Sequence, residues 1–242
     1  MKSLLLSTSI AASLLFSSVV FAEKISVAQQ KKLSEITSLL EQNPEVIEGL
    51  YINLIKYVEG QGTISNTLKQ HHDYLYNNPM HSYFGSEAPE LTIINFTDYN
   101  CPYCKRLESG LVEMINKYPE IRVVNINLPF QQPMIPDLDT NTAWYALNVW
   151  ENNRPAFSEV HRLMMAKPSK HDSESIMKIA EMTGTEAALA PNERKKKMVE
   201  KNERIFSQLG LRGTPALIIG NEISPGAIPQ AQLDKLIKSQ LK

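Results

Sequence analysis

The sequence predicts an α/β fold with a helical insertion and an N-terminal helical extension. Three observations carry this. Apolar, β-prone runs at 91–96 and 121–127 flank a helical pattern, which makes a βαβ unit with parallel strands and a right-handed crossover. Helical pattern then fills about 139–209 before a third apolar run at 216–220. Ahead of the first strand, residues 23–78 carry amphipathic stripes too short to form a core of their own.

The first 22 residues are a separate object. Met1 and Lys2 give a positive start, an apolar stretch runs from Leu4 to Phe21, and Val20 and Ala22 offer small residues at −3 and −1. This is the pattern of a secretory signal peptide cleaved after Ala22. The alternative is a membrane anchor, but the apolar stretch is short and interrupted by serine and threonine. No later run is long and apolar enough to span a bilayer. The expected location is therefore the periplasm. A net charge of −1 gives no hint of nucleic acid, and 43% hydrophobic content suits one good core with an appendage.

In residues 23–78, Leu33, Ile36, Leu39 and Leu40 form one stripe. Asn43 and Pro44 read as a cap and a first-turn proline. Val46, Ile47, Leu50, Tyr51, Leu54, Ile55 and Val58 form a second stripe, ending near Gly60 and Gly62. A third short helix is expected at 65–76. These faces must pack on the main domain or on copies of themselves, and self-association, a homo-oligomer built through residues 23–78, is the sharper reading. His71, His72 and His81 read as surface histidines. Residues 77–89, rich in turn formers, read as a linker into the main domain, 79–242.

The strand at 91–96 breaks at Asp98, Tyr99 and Asn100. A helix follows, with Leu107, Leu111, Met114 and Ile115 at helical spacing. Cys101 therefore sits at a strand-to-helix junction, and Cys104 lies one turn in on the same side. Free N–H groups at a helix start favour negative charge, so a thiolate there is stabilised and its pKa falls from about 8.5 toward ~3.5–7.5. The thiolate is the nucleophile in disulfide exchange. Cys101 is the expected attacking thiol and Cys104 the resolving one. Pro102 pre-sets the first turn. Tyr103 is expected over the pair, tuning its redox poise. A zinc site would need two further ligands at short spacing, and the chain has only two cysteines. A purely structural disulfide between residues so close would constrain the chain little. The redox group is the cysteine pair itself, so no cofactor and no metal is expected.

Residues 128–139, with three prolines, form a loop. In the insertion, Trp144, Leu147 and Trp150 mark one helix, and Pro155 opens another with Phe157, Val160, Leu163 and Met164. A third spans about 173–182. The last runs from 191 to 209 and stops at Gly210. Its basic run Arg194 to Lys197 reads as a solvated face. His161, Met164 and Met165 share a face that could bind soft metals, but methionine more often packs in a core. After the strand at 216–220 comes a short one at 222–224. Pro229 then opens a final helix with Leu233, Leu236, Ile237 and Leu241 inward.

The C-x-x-C at a strand–helix junction, together with Gly213-Thr214-Pro215 leading into a late strand, resembles the thioredoxin superfamily. The helical insertion resembles its DsbA-like branch. The run from Phe96 to Lys105, the segment Arg212 to Ala216, and Pro225 to Ala227 resemble the suppressor-of-copper-sensitivity C (ScsC) proteins. The resemblance implies a thioredoxin fold, a cis Pro215 facing the cysteines, and a Thr214 backbone that pairs with an extended substrate strand. It also implies an N-terminal oligomerising segment and a setting of copper tolerance. One position departs: a buried acid often stands six residues before the first cysteine, and here that residue is Asn95. An amide cannot take the resolving thiol's proton. Water, Asp98 or Glu108 remain as acceptors, or Cys104 ionises more slowly.

The expected activity is protein thiol–disulfide exchange on unfolded or misoxidised secreted proteins, with a membrane redox partner resetting the cysteines. An oligomer favours isomerase or reductase work, and a monomer favours DsbA-like oxidation. A non-redox periplasmic chaperone or copper-binding protein is the reading from a different class.

Overall fold

The computed structural model describes residues 25–241. The proposed signal peptide lies outside them. Two compact units divide the chain, one up to Lys56 and one from Tyr57 onward.

The N-terminal unit is helical. Helix α1 (Val27–Gln42) starts at a capping box in which Gln29 N donates to Ser26 Oγ at 3.2 Å and Ser26 N donates to Gln29 Oε1 at 2.7 Å. It has no buried residue. Asn43 caps it, and a 3-10 turn (Pro44–Val46) leads into α2 (Ile47–Asn77). The apolar stripes are exposed: Leu39 is 59% and Leu54 55% accessible, and Leu33, Ile36, Leu50 and Tyr51 are similar.

Two expectations change here. The break at Gly60 and Gly62 does not occur, and α2 is one helix. Isolated glycines cost a helix only about 1 kcal/mol each and do not stop it as proline would. The helix at 65–76 is therefore the end of α2. Its fate differs from that of the earlier stripes: Leu75 is fully buried, and Ile64 and Leu68 pack against the same core.

The C-terminal unit is built on a five-stranded sheet. Strands β1 (Ser82–Gly85), β2 (Leu91–Thr97), β3 (Ile121–Asn127), β4 (Ala216–Ile219) and β5 (Glu222–Pro225) lie in the order β1-β3-β2-β4-β5. Strands β2 and β3 pair in parallel through α3 (Pro102–Lys117), as the βαβ reading requires, and the other pairs are antiparallel. Strand β1 lies within the stretch read as a linker. It is a short edge strand whose register, Ser82 opposite Asn125, comes from β3. Gly85 ends it at φ +98°, where a Cβ would meet Ile121 O at 2.5 Å.

Alternate residues of β2 serve opposite faces. Ile93 joins Leu107, Leu111 and Met114 of α3 and Leu233 and Ile237 of α8 (Gln230–Gln240). Ile94 and Phe96 join Leu75 of α2 and Ile205 and Phe206 of α7 (Glu193–Gln208). Within the insertion, α7 packs on the sheet, while α4 (Thr142–Asn152), α5 (Arg154–Ala166) and α6 (Ser173–Thr183) share a core of their own around Tyr145, Trp150, Phe157, Met164 and Ile176. Met164 and Met165 are packed inside it.

Two polar expectations are corrected. His81 is not at the surface; it is buried at the start of β1 with its ring edge-on to Tyr74. Lys195 is not part of a solvated face. It is fully buried, with Nζ 2.8 Å from Glu151 Oε2, because α7 turns that position toward α4. Among the described residues, no helix is long and apolar enough to cross a membrane.

Candidate active site

Strand β2 delivers the chain to a polar junction, residues 98–100, beneath the start of α3. Asp98 is buried, and its carboxylate accepts two backbone N–H bonds, from Asn100 to Oδ1 and from Gln131 to Oδ2, both at 2.8 Å. Its carbonyl accepts Cys101 N at 3.0 Å. Asn100 bridges outward: Oδ1 accepts His171 N at 2.8 Å, and Nδ2 donates to Gln132 Oε1 at 3.1 Å. The 128–141 loop and the start of α6 are thus fastened to the cysteine motif.

Cys101 is the N-cap of α3 in extended conformation, and Pro102 is the first helical residue, as the sequence predicts. Cys104 N donates to Cys101 Sγ at 3.4 Å. The Cys101 thiol lies 3.3 Å from Thr214 O, to which it donates when protonated. The Thr214–Pro215 peptide is cis, as the resemblance implies. Both cysteines are free, and they are 3% and 2% accessible. The site therefore brings together Cys101, Cys104, Pro102, Thr214 and Pro215. The ring of Tyr103 is 58% exposed and faces the Arg106 guanidinium at 5.5 Å. Tyr103 reaches Cys101 through its backbone N–H, which favours the thiolate.

The two thiols are driven apart. The Cys101 pKa falls from 9.0 to about 5, chiefly because the Cys104 thiol donates to it, against the cost of burial. The N–H groups of Cys104 and Tyr103 and the Thr214 side chain add to this. Burial, and then the neighbouring Cys101, push the Cys104 thiol far up. At neutral pH one sulfur is ionised and the other holds its proton.

Asn95 donates from Nδ2 to Asn125 Oδ1 at 2.9 Å in the buried sheet. Glu108 Oε1 is 2.8 Å from His161 Nε2, and His161 Nδ1 is 2.8 Å from Tyr99 Oη. His161 thus links α5 to the cysteine helix through Glu108 and to Tyr99. Sequence reasoning missed Asn100, Lys105, Gln131 and His171 as parts of the site. The polar residues flanking C-x-x-C were the available signal for the first two.

A family model described as a DSBA-like thioredoxin domain matches residues 92–238. The chain belongs to the DsbA-like thioredoxin family. Among solved structures, a linker-deletion and point mutant of Proteus mirabilis ScsC is 30% identical with a TM-score of 0.69, covering 90% of this chain and 97% of that one. A periplasmic thioredoxin-like protein from Salmonella enterica serovar Typhimurium is 34% identical with a TM-score of 0.62, covering 70% and 95%. Disulfide bond formation protein D of Bacillus subtilis is 20% identical, covering 65% and 76%. This DsbA-like chain is a thiol–disulfide oxidoreductase of the DsbA/ScsC type.

Proposed function

We propose that the chain is a periplasmic disulfide isomerase/reductase for misoxidised secreted proteins, assembled into a homo-oligomer through residues 23–78. The observation that carries this reading is the exposed apolar stripe of the N-terminal unit, from Leu33 to Leu54. An exposed patch of that size calls for a partner, and a second copy of the same stripe is complementary to it. Several cysteine pairs would then face one substrate, and a large oxidase partner would be kept away.

The Cys101 thiolate attacks one sulfur of a substrate disulfide. A Cys101–substrate disulfide forms, and the other substrate sulfur leaves as a thiolate. If another substrate thiolate displaces Cys101, the disulfide has moved with no net electron transfer. If Cys104 loses its proton and attacks Cys101 Sγ, the substrate leaves reduced and two electrons have passed to it. A membrane reductant then restores the pair. The Thr214 backbone, beside Cys101, is placed to hold an extended substrate segment. The leader at 1–22 directs export, and copper, which drives wrong disulfides, supplies the physiological setting.

A second reading, a monomeric oxidase, is favoured by the Cys101 pKa of about 5. A stable thiolate stabilises the reduced form and makes the disulfide a stronger oxidant. The chaperone or copper-binding reading rested on methionine and histidine content, yet Met164, Met165, His81 and His171 are buried. The test is recovery of activity by a substrate with scrambled disulfides, using full-length protein and the Leu50→Glu/Leu54→Glu variant. Rescue by the first and not the second supports the isomerase. Faster oxidation of a reduced substrate by both, without rescue, supports the oxidase. Protection from aggregation that survives Cys101→Ser supports the chaperone.

A further inference from the structure

The reaction leaves two charged groups beside the cysteines without a role. Glu108 is committed to His161, and Asn95 to Asn125. Asp98 and Lys105 remain. Both are fixed by backbone groups. The Asp98 carboxylate is held at each oxygen by an N–H, at 2.8 Å, so it cannot rotate away. Lys105 Nζ is held by Lys167 O and, at 2.9 Å, by Ser169 O, in the α5–α6 connection. Carbonyl oxygens orient an ammonium without cancelling its charge. Two separate N–H donors likewise favour the ionised form of a carboxyl.

We propose that Asp98 and Lys105 are opposed positioning charges that set the thiol–disulfide equilibrium of Cys101, the carboxylate working against its thiolate and the ammonium for it. The inference rests on the redox chemistry of the pair. Charges clamped in a partly desolvated site act more strongly than mobile surface charges, because water screens them less and they cannot rotate away. The influence of the cysteines on the two charges agrees in sign. Burial raises the Asp98 pKa first, and the Cys101 charge raises it further, while Lys105 lowers it. Burial lowers that of Lys105, and Asp98, Cys101 and Cys104 raise it.

The groups facing this pair from neighbouring elements are few. From α3 they are the two thiols. From the α5–α6 connection come Lys167, with Nζ 3.3 Å from Asp172, and His171, whose pKa burial lowers and Lys105 lowers further. Lys170 Nζ reaches over to Gln131 O at 2.9 Å, on the loop that holds Asp98. The insertion therefore supplies the clamp for Lys105, and the 128–141 loop the clamp for Asp98. The helical insertion acts on the redox centre through Lys105, and the 128–141 loop acts on it through Asp98.

The equilibrium is the Cys101–Cys104 disulfide plus two glutathione thiols, giving the dithiol plus glutathione disulfide, with two electrons passed. Stabilising the Cys101 thiolate pulls it toward the dithiol. The experiment measures this constant, and the Cys101 pKa by thiolate absorbance, in the wild type, Asp98→Asn, Lys105→Gln and Lys105→Arg. Asp98→Asn is expected to lower the pKa and shift the constant about three- to tenfold toward the dithiol, up to roughly 30 mV. Lys105→Gln is expected to shift both the other way by a similar factor. Lys105→Arg should stay near the wild type, and the double neutral variant should return toward it. A structural role would lower the unfolding temperature of both variants without opposite shifts in pKa. Shifts of the same sign, or no shift, in variants of a wild type that exchanges normally overturn the proposal. A wild type that does not exchange with glutathione overturns the redox reading itself. Lys105 is half-exposed, so its arm carries the test if Asp98→Asn does not fold.

Discussion

Helix α3 and the first turns of α2 carry apolar residues at the same helical spacing, and their surroundings are opposite. Leu107, Leu111 and Met114 of α3 are buried against the sheet, while Leu50, Tyr51 and Leu54 of α2 are exposed. Helical periodicity says which residues share a face, not what covers that face. In α3 the cover is β2, β3 and α8 of the same chain. In the N-terminal unit a second chain is the proposed cover. The contrast also separates tasks: the buried stripe holds the cysteine helix on the sheet, and assembly is the task proposed for the exposed one.

The largest expected effect is chemical. Cys101→Ser should reduce disulfide exchange to background. Cys104→Ser should leave a covalent Cys101–substrate adduct, visible by mass spectrometry. An adduct on residue 104 in a Cys101→Ser protein, at a comparable rate, would reverse the roles assigned to the two thiols.

Next comes packing, which sharpens the contrast directly. Leu111→Ala should cost about 2–5 kcal/mol in denaturant unfolding, because it opens a cavity under α3. Leu54→Ala should cost no more than about 0.5 kcal/mol at protein concentrations too low for assembly. Equal losses would mean that the α2 stripe is covered within the chain.

A smaller effect distinguishes the redox states. Folding lowers the Cys101 pKa from 9.0 to about 5, so its contribution to the reduced fold is complete above pH 9 and is lost as pH falls toward 5. Cys104 is shifted upward, so above pH 9 it works against the fold. The oxidised protein has neither group. The stability of the reduced form relative to the oxidised form should therefore rise from pH 5 to pH 8 in thermal unfolding. A flat difference would remove the thiolate from the account.

The smallest effect tests a buried polar group of the C-terminal unit. Burial lowers the His81 pKa from 6.5 to about 3, and Lys201 assists. Its stabilising effect is complete above pH 6.5 and shrinks as pH falls toward 3, because the unfolded chain takes up the proton first. His81→Phe should flatten the acid limb of the stability profile measured by circular dichroism. An unchanged limb would assign that slope to other groups, with His171, lowered to about 4, the next to replace.

Much of this was legible in the sequence. Strands β2, β3 and β4 announce themselves because central strands, buried on both faces, read as mostly apolar, β-branched runs. The position of Cys101 at the helix start followed from Asp98, Asn100 and Pro102. Strand β1 was hidden because an edge strand of four residues gets its pairing from β3 rather than from its own pattern. The continuity of α2 was hidden by Gly60 and Gly62. The burial of His81 and Lys195, and the partners of Asn100 and Lys105, depend on neighbours far away in sequence, at Tyr74, Glu151, His171 and Ser169.

The contrast between the two stripes comes down to what covers Leu50 and Leu54. The direct measurement is the mass in solution, by light scattering, of the chain from Glu23 beside the same chain carrying Leu50→Glu and Leu54→Glu. A multimer that becomes a folded monomer in the variant is the expected result, and it supports the isomerase reading. Monomers in both would contradict assembly through this segment and move the function to the oxidase.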